Sequence, residues 1–509
     1  MQPREQDLIL RKIGKRKDEI RRYFASNLTP LTDIVYRETE AYETIEQGLK
    51  GKDWKPIKVG DHWGNGHNGW FKIKITIPKE WKGKEVAAYL NFGGESCAFI
   101  DGKPYQGIDS NHEEVLLAKN AKGGEVFDLV IDAASAKPWD PLVTNNVHFS
   151  KAEIGTRNPE LQEFWWNLEI LELLARQLPA ESSRRAKIVY TLNKAVDAFD
   201  YINTDEASLR RSATKSNIIL RPLLNKRADA SATDVAVVGH SHIDVAWLWP
   251  YRETKRKCSR TFSSVMRMME QYPEYIFLQS QAQLYEFTKD NYPGLYEDIK
   301  KAVKAGKWEV QGSMWVEADC NLSSGESLIR QVLVAKNFFK DEFGIETNAL
   351  WLPDVFGYSA ALPQILQKSR VPYFSTIKIS WSQFNKFPYN TFNWKGIDGT
   401  SVLAHFPPTG DYNAYPDPAK LRRQVDNFAE KDRCDWSLLS YGWGDGGGGP
   451  DRRHLELLAR SKDLEGLPRC HQMKSKDFFK KIDGAAEYPE WVGELYLELH
   501  RGTYTTQAH

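Results

Sequence analysis

The segment VVGHSHIDVAWLW carries three groups that can bind a metal ion at alternating positions. On an extended backbone His240, His242 and Asp244 would point to one side, because successive side chains of a strand alternate between its two faces. Imidazole and carboxylate together favour zinc or a similar first-row ion over magnesium or calcium. Histidines that are hydrogen-bonded inside a core are the alternative, and three alternating ligands after an apolar strand favour the metal.

Two further aspartates are candidates for chemistry on a substrate. Asp354, in ALWLPDVFGYS, follows an apolar segment, where a carboxylate is costly unless it is paired or binds a metal. It is therefore a candidate ligand or nucleophile, and a helix N-cap is the alternative. Asp445, in YGWGDGGGGP, precedes glycines that let the backbone approach a bulky polar substrate, with a flexible loop tip as the alternative. A phosphate-binding loop is disfavoured, because the lysine and hydroxyl of GxxxxGKS/T are missing.

Aromatic residues and a lysine follow the same apolar segments. Rigid flat rings beside carboxylates suit a sugar, although any single ring is more often part of ordinary packing. Lys378 would either contact substrate hydroxyls or neutralise an acidic pocket, and its spacing does not distinguish the two. The rings belong to Trp247, Trp249, Trp315, Phe356, Trp381, Tyr412 and Trp443.

The predicted strands that lead into these residues begin at Asp234. Seven short apolar runs, most of them separated by amphipathic helical stretches such as TFSSVMRMMEQY, predict parallel strands covered by helices. About 250 residues suit either a closed barrel or a doubly wound sheet. In both architectures functional side chains gather just past the carboxyl ends of the strands, where Glu317, Asp319 and Asp411 also lie.

The chain before this α/β region falls into three segments of different character. Residues 1–50 are predicted as an N-terminal helical segment that opens with a charged amphipathic helix. Residues 51–157 contain short alternating or β-branched runs between turns, which predict a β-sandwich. Residues 158–230 carry apolar residues at helical spacing and predict a helical linker domain, after which the α/β domain occupies residues 231–485.

Composition excludes several classes of protein. With 69 Lys and Arg against 68 Asp and Glu, the formal charge of +1 provides no net field for nucleic acid. No apolar run reaches the roughly 18 residues of a membrane span. The five cysteines are scattered, odd in number and never spaced as CxxC, which predicts free thiols in a reducing compartment. The N-terminus lacks an apolar signal core, so we expect a cytoplasmic protein.

Four motifs together resemble glycoside hydrolase family 38, the α-mannosidases of the cytosolic and bacterial type. They are HSHIDVAW, WLPDVFGYS, YGWGDGGGGP and GELYLELHRGTYT, and the sandwich and helical segments also look like that branch. The resemblance implies a retaining, metal-dependent α-mannosidase that removes terminal α-linked mannose from oligosaccharides, built on a seven-stranded α/β barrel. It also implies one zinc ion, or cobalt in some relatives, bound by His242, Asp244, Asp354 and a further histidine.

The same resemblance assigns roles around the ion. Asp354 is implied to be the nucleophile as well as a ligand, and Asp445 the general acid and base. Members of the family place pocket residues at the positions of Trp247, Phe356, Lys378 and Tyr412, with a lysine here in place of the arginine of Golgi-type enzymes. They are often oligomeric, which implies a homo-oligomer but points to no interface in this sequence.

One expected element of the family is missing. The last metal-binding histidine of the family comes from a helical region after the barrel, and no matching motif is present here. Residues 486–509 are interpreted as the start of a truncated helical middle domain, so we expect an N-terminal portion of a longer enzyme. Nothing in the sequence supports His500 or His509 as a substitute. The 509-residue chain is therefore expected to fold, to bind metal weakly and to turn over poorly.

Two other functions stay open at this point. An amidohydrolase-like enzyme acting on C–N or ester bonds also opens its site with HxH after a first barrel strand, but it needs further ligands. The internal candidates for these ligands are His405 and His454. A catalytically silent carbohydrate-binding protein would use the sandwich, where HWGNGHNGWFK contains His62 and His67 beside two tryptophans. Structural packing is the favoured interpretation of that motif.

Overall fold

The computed structural model describes residues 2–64, 68–135 and 147–504 of the chain, which forms two compact units. The first unit comprises Met1–Ala232, Pro416–Ala419 and Arg452–Arg469. The second comprises Thr233–Tyr415, Lys420–Asp451 and Cys470–His509. Among the described residues, no helix combines the length and the apolar character needed to cross a membrane.

The first unit contains two antiparallel sheets around one apolar core. Their strand orders are β1-β12-β6-β9 and β3-β2-β5-β10-β7-β8, and β4 pairs with β11. The strands are β1 (Ala25–Pro30), β2 (Val35–Thr39), β3 (Lys55–Pro56), β4 (His62–Trp63), β5 (Asn68–Thr76), β6 (Val86–Asn91), β7 (Glu95–Ile100), β8 (Lys103–Ile108), β9 (Glu114–Ala118), β10 (Val126–Ala134), β11 (Val147–His148) and β12 (Lys151–Arg157). Apolar residues of both sheets share this core, in which the rings of Phe92 and Phe149 stack 5.2 Å apart. The predicted β domain is therefore confirmed.

Two strands of these sheets lie inside the segment 1–50 that was expected to be helical. β1 pairs with β12, and β2 pairs with β5 and β3. The sequence of β1, ASNLTP, is mostly exposed and has no alternation of apolar residues. Its strand conformation is stabilised by backbone pairing with a distant strand, which local sequence patterns do not reveal.

Helices complete the first unit. They are α1 (Pro3–Arg21), α2 (Ile45–Lys50), α3 (Pro159–Gln177), α4 (Ser183–Asp197) and α5 (Glu206–Leu224), with a short 3₁₀ turn at Lys79–Trp81. Lys17 of α1 is buried and forms ion pairs with Glu169 and Glu172 of α3. The backbone oxygen of Lys17 also accepts a hydrogen bond from Trp165 Nε1 at 3.0 Å. These contacts pack α1 against α3.

The second unit contains two five-stranded sheets, largely parallel and accompanied by helices. Their strand orders are β15-β14-β13-β20, with β21 paired to β13, and β16-β17-β19-β18-β22. The strands are β13 (Asp234–His240), β14 (Phe277–Gln279), β15 (Trp308–Val310), β16 (Ala349–Trp351), β17 (Tyr373–Ser375), β18 (Thr391–Lys395), β19 (Ser401–His405), β20 (Trp436–Tyr441), β21 (Arg469–Gln472) and β22 (Glu490–Val492). The remaining helices of the chain are α6 (Tyr251–Gln271), α7 (Ala282–Asn291), α8 (Pro293–Lys304), α9 (Gly325–Phe343), α10 (Leu362–Lys368), α11 (Pro418–Asn427), α12 (Arg452–Ser461) and α13 (Ser475–Ile482), with 3₁₀ turns at Lys378–Trp381 and Arg501–Tyr504. Of these, α12 belongs to the first unit. The predicted mixed α/β fold is confirmed.

Local sequence explains why strands and helices alternate here. β13 is apolar along most of its length, and every residue after Asp234 is buried, as expected for a strand covered on both faces. α9 begins after Ser324, whose hydroxyl accepts the Ser327 N–H, and ends at Gly344 with φ 69°. A side-chain cap at the start and a left-handed glycine at the end are the sequence signals that bound such a helix.

The backbone hydrogen bonds between these strands form only part of the predicted seven-stranded barrel. Single parallel bridges join Gly312 to Leu350 and Ala414 to Tyr441. Within the described ranges, no continuous backbone ladder closes the two sheets into a barrel. The closed seven-stranded barrel therefore stays a prediction.

Side chains provide hydrogen bonds between strands of the two sheets. Gln311 Oε1 accepts the N–H groups of Asn348 and Ala349 at 3.2 Å each. His405 Nε2 accepts the Leu438 N–H at 3.1 Å. Buried side-chain acceptors therefore satisfy backbone donors that lie between the two sheets.

Residues 486–504 continue the second sheet of this unit. β22 pairs in parallel with β18, and Leu495 and Leu497 are buried in the same core as Trp394. The segment was expected to start a helical domain, whereas the described part forms a strand and a 3₁₀ turn. His509 lies outside the described residues.

The helix α12 lies between β20 and β21 in sequence but belongs to the first unit. Arg453 pairs with Glu169 at 2.7 Å, and Arg460 donates to Asn167 Oδ1 at 2.7 Å. Both partners lie on α3. The first unit therefore contains a helix that is supplied from late in the sequence.

Candidate active site

Polar side chains that follow different strands of the second unit meet at one place. His242 follows β13, Asp354 follows β16 and Asp445 follows β20. One ligand atom of each residue lies within 4.8 Å of the other two. This cluster of an imidazole and two carboxylates is the candidate active site.

The His242 ring is buried and faces carboxylates from both of its nitrogen atoms. Its Nδ1 lies 2.7 Å from Glu317 Oε1, while Nε2 lies 3.3 Å from Asp354 Oδ2 and 3.4 Å from Asp244 Oδ1. Burial alone lowers the pKa of His242, but the charge of Glu317 and the contacts with Asp244 and Asp354 raise it well above its ordinary value. The surroundings therefore attract a positive charge to this imidazole.

Asp354 is paired with a buried lysine. Lys378 Nζ forms an ion pair with Asp354 Oδ1, and both side chains are largely buried. Burial acts to raise the pKa of Asp354, but the contacts with His242 and Lys378 outweigh it and lower the pKa below its ordinary value. Asp354 is therefore kept ionised. The charge of Lys378 neutralises part of the negative charge of the cluster.

Asp445 has the opposite electrostatic environment. The Tyr412 hydroxyl donates a hydrogen bond to Asp445 Oδ1, which opposes any rise in pKa. Burial outweighs this contact, and the neighbouring charges of Asp244 and Asp354 add to it, so the pKa of Asp445 is raised. Two carboxyl groups of one cluster thus differ in their affinity for a proton.

The glycines around Asp445 permit close packing of this loop. A Cβ atom on Gly444 would lie 2.7 Å from the Tyr412 ring, and one on Gly447 would lie 2.3 Å from Thr261 Oγ1. Thr261 Oγ1 also accepts the Gly448 N–H at 2.8 Å. The loop after β20 is therefore anchored on α6, which argues against the flexible loop tip.

Aromatic rings surround Lys378. Its Nζ lies 3.5 Å from the centre of the Trp381 ring and 5.1 Å from that of Phe356. The Tyr412 ring lies 5.1 Å from the His242 ring. Trp247 is 51% exposed and packs edge-on against Trp249. Phe356, Lys378 and Tyr412 therefore lie at the cluster, and the assignment of Trp247 to the substrate pocket stays a prediction.

Asp244 and His240 differ from the alternating pattern. Asp244 Oδ1 lies 3.4 Å from His242 Nε2, at the border of the cluster, but Asp244 is not one of the three residues that form the cluster. His240 is fully buried, with Nδ1 3.0 Å from the Leu278 oxygen and its ring against Trp351. His240 is not part of the group formed by His242, Asp354 and Asp445, and β13 ends at His240, so the strand alternation assumed for these residues does not continue past it. Burial lowers the pKa of His240 to about 3.

The other histidines considered from the sequence lie elsewhere. His405 is buried between Thr391 and the backbone of Leu438. His454 lies on α12 of the first unit. The His500 ring lies 4.9 Å from the Phe356 ring, and His500 is outside the trio. The structure therefore adds no histidine ligand to His242 among the residues it describes.

Two residues that the sequence motifs assigned no role lie directly behind the cluster. Glu317 contacts His242, and its Oε2 accepts the Asp354 N–H at 3.2 Å. Gln281 Oε1 accepts the Glu317 N–H at 3.2 Å, and its amide donates to the Ile243 oxygen at 3.0 Å. Their signal in the sequence was only their position after β15 and β14.

The donor set fits a divalent metal ion. His242 Nε2 is buried without a hydrogen-bond partner of suitable geometry among the described residues, and it faces carboxylate oxygens. Its opposite nitrogen contacts a carboxylate, the usual arrangement behind a metal-binding histidine. One imidazole with two or three carboxylates suits zinc or a similar first-row ion.

A parallel α/β unit with two carboxyl groups of opposite proton affinity beside such a cation site has the features of a glycoside hydrolase. Residues 232–494 match the family description "Glycosyl hydrolases family 38 N-terminal domain". Residues 30–169 match "Alpha-mannosidase, jelly roll domain". The chain belongs to glycosyl hydrolase family 38.

Curated relatives support this assignment. The chain is 40% identical to alpha-mannosidase G of Dictyostelium discoideum, with 91% of this chain and 44% of the relative aligned. It is 36% identical to alpha-mannosidase 2C1 of Homo sapiens, covering 90% and 45%, and 30% identical to an alpha-mannosidase of Saccharomyces cerevisiae, covering 91% and 46%. The chain spans about half the length of the curated relatives it matches.

Proposed function

We propose that this chain carries the catalytic centre of a retaining, metal-dependent α-mannosidase that removes terminal α-linked mannose from oligosaccharides. The observation that carries the proposal is the pair Asp354 and Asp445, whose ligand oxygens lie within 4.8 Å and whose pKa values shift in opposite directions. A retaining glycosidase needs two carboxyl groups roughly 5 Å apart, one ionised and one protonated. The relatives, all named as alpha-mannosidases, point to the sugar.

In the first half of the proposed reaction, Asp354 is the nucleophile. A carboxylate oxygen of Asp354 bonds to the anomeric carbon of mannose while the bond from that carbon to the glycosidic oxygen breaks. Asp445 transfers its proton to the departing oxygen and becomes a carboxylate. The ion pair with Lys378 supports this role, because it keeps Asp354 ionised before the attack.

In the second half, water attacks the anomeric carbon and Asp445 accepts the water proton. The ester bond to Asp354 breaks, and mannose leaves with its original α configuration. Because the Tyr412 hydroxyl donates to Asp445 Oδ1, the remaining oxygen Oδ2 is the one that carries the exchanged proton. Burial raises the pKa of Tyr412, so the phenol stays protonated as a donor.

The proposed metal would be held by His242, Asp244 and Asp354, with Asp445 adjacent. When bound, a zinc or cobalt ion would supply positive charge that orients sugar hydroxyls and stabilises the oxocarbenium-like transition state. The rings of Phe356, Trp381 and Tyr412 offer flat apolar surfaces for the faces of the sugar.

Hydrolysis of an aryl α-mannoside and of a natural oligosaccharide tests the assignment. We expect Asp354→Asn to abolish turnover of both. We expect Asp445→Asn to lower turnover of the natural linkage about 100-fold or more. Turnover of the aryl mannoside should fall less, because its phenolate leaves without a proton and only the later base step is impaired. NMR of the first product anomer should show retention, and a chelator should remove activity that zinc restores. Equal losses on both substrates in Asp445→Asn would exclude the acid role.

The proposed enzyme acts on mannose-containing oligosaccharides in the cytoplasm. All five cysteines are free and buried, in keeping with a reducing compartment. A homo-oligomer stays part of the proposal, and size-exclusion chromatography with light scattering would test it.

A further inference from the structure

The carboxylate of Glu317 contacts two different members of the cluster at once. Its Oε1 lies 2.7 Å from His242 Nδ1, and its Oε2 accepts the Asp354 backbone N–H at 3.2 Å. The Glu317 side chain is 6% exposed, so water competes little for either oxygen. Since the cluster members come from separate strands, one side chain links the end of β13 to the end of β16 through a residue that follows β15.

We propose that Glu317 is a positioning residue, which holds His242 Nε2 and the Asp354 carboxylate together so that they can bind one divalent cation. This inference rests on the proposed metal-dependent function. It assigns a role to a residue that neither binds the metal nor contacts the substrate.

Each oxygen of Glu317 serves a separate purpose. A carboxylate only accepts hydrogen bonds, so the Glu317 contact requires a proton on His242 Nδ1. A divalent cation that replaces the second proton of the ring would then bind the Nε2 lone pair. The second oxygen fixes the backbone of Asp354 at the point where its side chain enters the cluster. A side chain with one acceptor cannot satisfy both donors.

Gln281 holds Glu317 in this orientation. Gln281 Oε1 accepts the Glu317 N–H at 3.2 Å, and its amide donates to the Ile243 oxygen at 3.0 Å and to Glu317 Oε1 at 3.4 Å. Ile243, whose backbone oxygen accepts this hydrogen bond, is adjacent in sequence to His242. The amide therefore ties Glu317 to the same loop that carries the imidazole.

The chain offers a matched control for replacing a buried acceptor. Glu309 is also buried, and its carboxylate accepts the N–H groups of Ser475 at 2.6 Å and Lys476 at 3.0 Å. These hydrogen bonds lie at the start of α13 and not at the cluster. Glu309→Gln therefore removes the same charge from a comparable environment in the same unit.

The experiment measures affinity for Co²⁺, by its visible absorption and by competition with a chelator, in the full chain. We expect Glu317→Gln to weaken Co²⁺ binding about 10- to 100-fold, as is usual for loss of such a partner, and Glu309→Gln to leave the affinity within twofold. Equal affinity of Glu317→Gln and the parent would overturn the inference. If Glu317→Gln does not fold, Gln281→Ala replaces it, with an expected loss of about threefold or more, and an unchanged affinity there would count equally against the inference.

A second measurement needs no metal. In ¹⁵N-histidine-labelled protein, the His242 Nδ1–H proton should appear as a protected downfield signal in the parent and in Glu309→Gln, and disappear in Glu317→Gln. Absence of this signal from the parent would overturn the positioning role. If the signal is present but the parent binds no Co²⁺, the metal-dependent function fails instead, and the claim that the contact serves a cation fails with it.

Discussion

Lys378 shows how much a single charge matters at the cluster. It is buried, pairs with Asp354 and lies over the Trp381 ring, so its charge is held where water screens it little. From the sequence, contact with substrate hydroxyls and neutralisation of the pocket were equally open. The ion pair with Asp354 identifies neutralisation as one role of this lysine.

Replacing the lysine should impair the nucleophile. We expect Lys378→Met to lower kcat about 10- to 100-fold, because Asp354 loses its cation while it stays buried, and a charge-assisted contact contributes about 1.5–3 kcal/mol. Lys378→Arg keeps the charge and should lose less. Steady-state kinetics on an aryl α-mannoside would measure both, and an unchanged kcat in Lys378→Met would show that the ion pair is not needed.

Residue types were more predictable than residue contacts. The strand-end rule placed His242, Asp354 and Asp445 in one region, because parallel strands bring their carboxyl ends to the same edge. It could not separate His240 from His242, since this depends on where β13 ends. The role of Glu317 could not be predicted from the sequence either, because it depends on two contacts with distant parts of the chain.

At the scale of elements, His405 is a buried link between strands of the two sheets. Its Nε2 accepts the Leu438 N–H of β20, and its Nδ1 lies 2.9 Å from Thr391 Oγ1 of β18. Burial lowers the pKa of His405 from its ordinary value of 6.5 to about 3. The folded protein therefore keeps this ring neutral at a pH where the unfolded chain binds a proton.

This difference predicts an acid sensitivity with a definite sign. Because the folded pKa is below the unfolded one, stability is lost as the pH falls below about 6.5, and the loss amounts to about 2 kcal/mol between pH 7 and pH 5. In His405→Gln this contribution is absent, so the thermal midpoint should fall less over that range than in the parent. Identical pH dependence in calorimetry would contradict the assignment.

The contact between α1 and α3 depends on a buried charge. Lys17 lies between Glu169 and Glu172, whose side chains are only 5% exposed. We expect Lys17→Met to destabilise the protein by about 3 kcal/mol, because it leaves buried carboxylates with fewer cations. Lys12 lies on the same helix as Lys17 and forms an exposed ion pair with Asp197 of α4. Lys12→Met should therefore cost less than about 1 kcal/mol. Similar thermal midpoints for the two variants would refute the distinction.

For the molecule as a whole, the periodicity of apolar residues predicted the kinds of secondary structure better than where each element begins and ends. Alternating runs indicated the sandwich, and repeated apolar strands with amphipathic helices indicated the α/β fold. β1 and β22 were missed because each is short and is held by pairing with a remote strand. Closure of the two sheets of the second unit into a barrel could not be predicted either. The hydrogen bonds between these sheets involve the side chains of Gln311 and His405, which the periodicity of apolar residues does not reveal.

The late position of α12 has a consequence for how the protein is made. When residues up to Ala232 have left the ribosome, Glu169 and Asn167 still lack the arginines that will contact them. These arginines are synthesised only after most of the second unit, so the N-terminal unit reaches its final form late in translation. A gene fragment that ends at residue 232 would encode α3 without the arginines of α12 that contact it. A fragment that contains the whole first unit has to extend beyond Arg469.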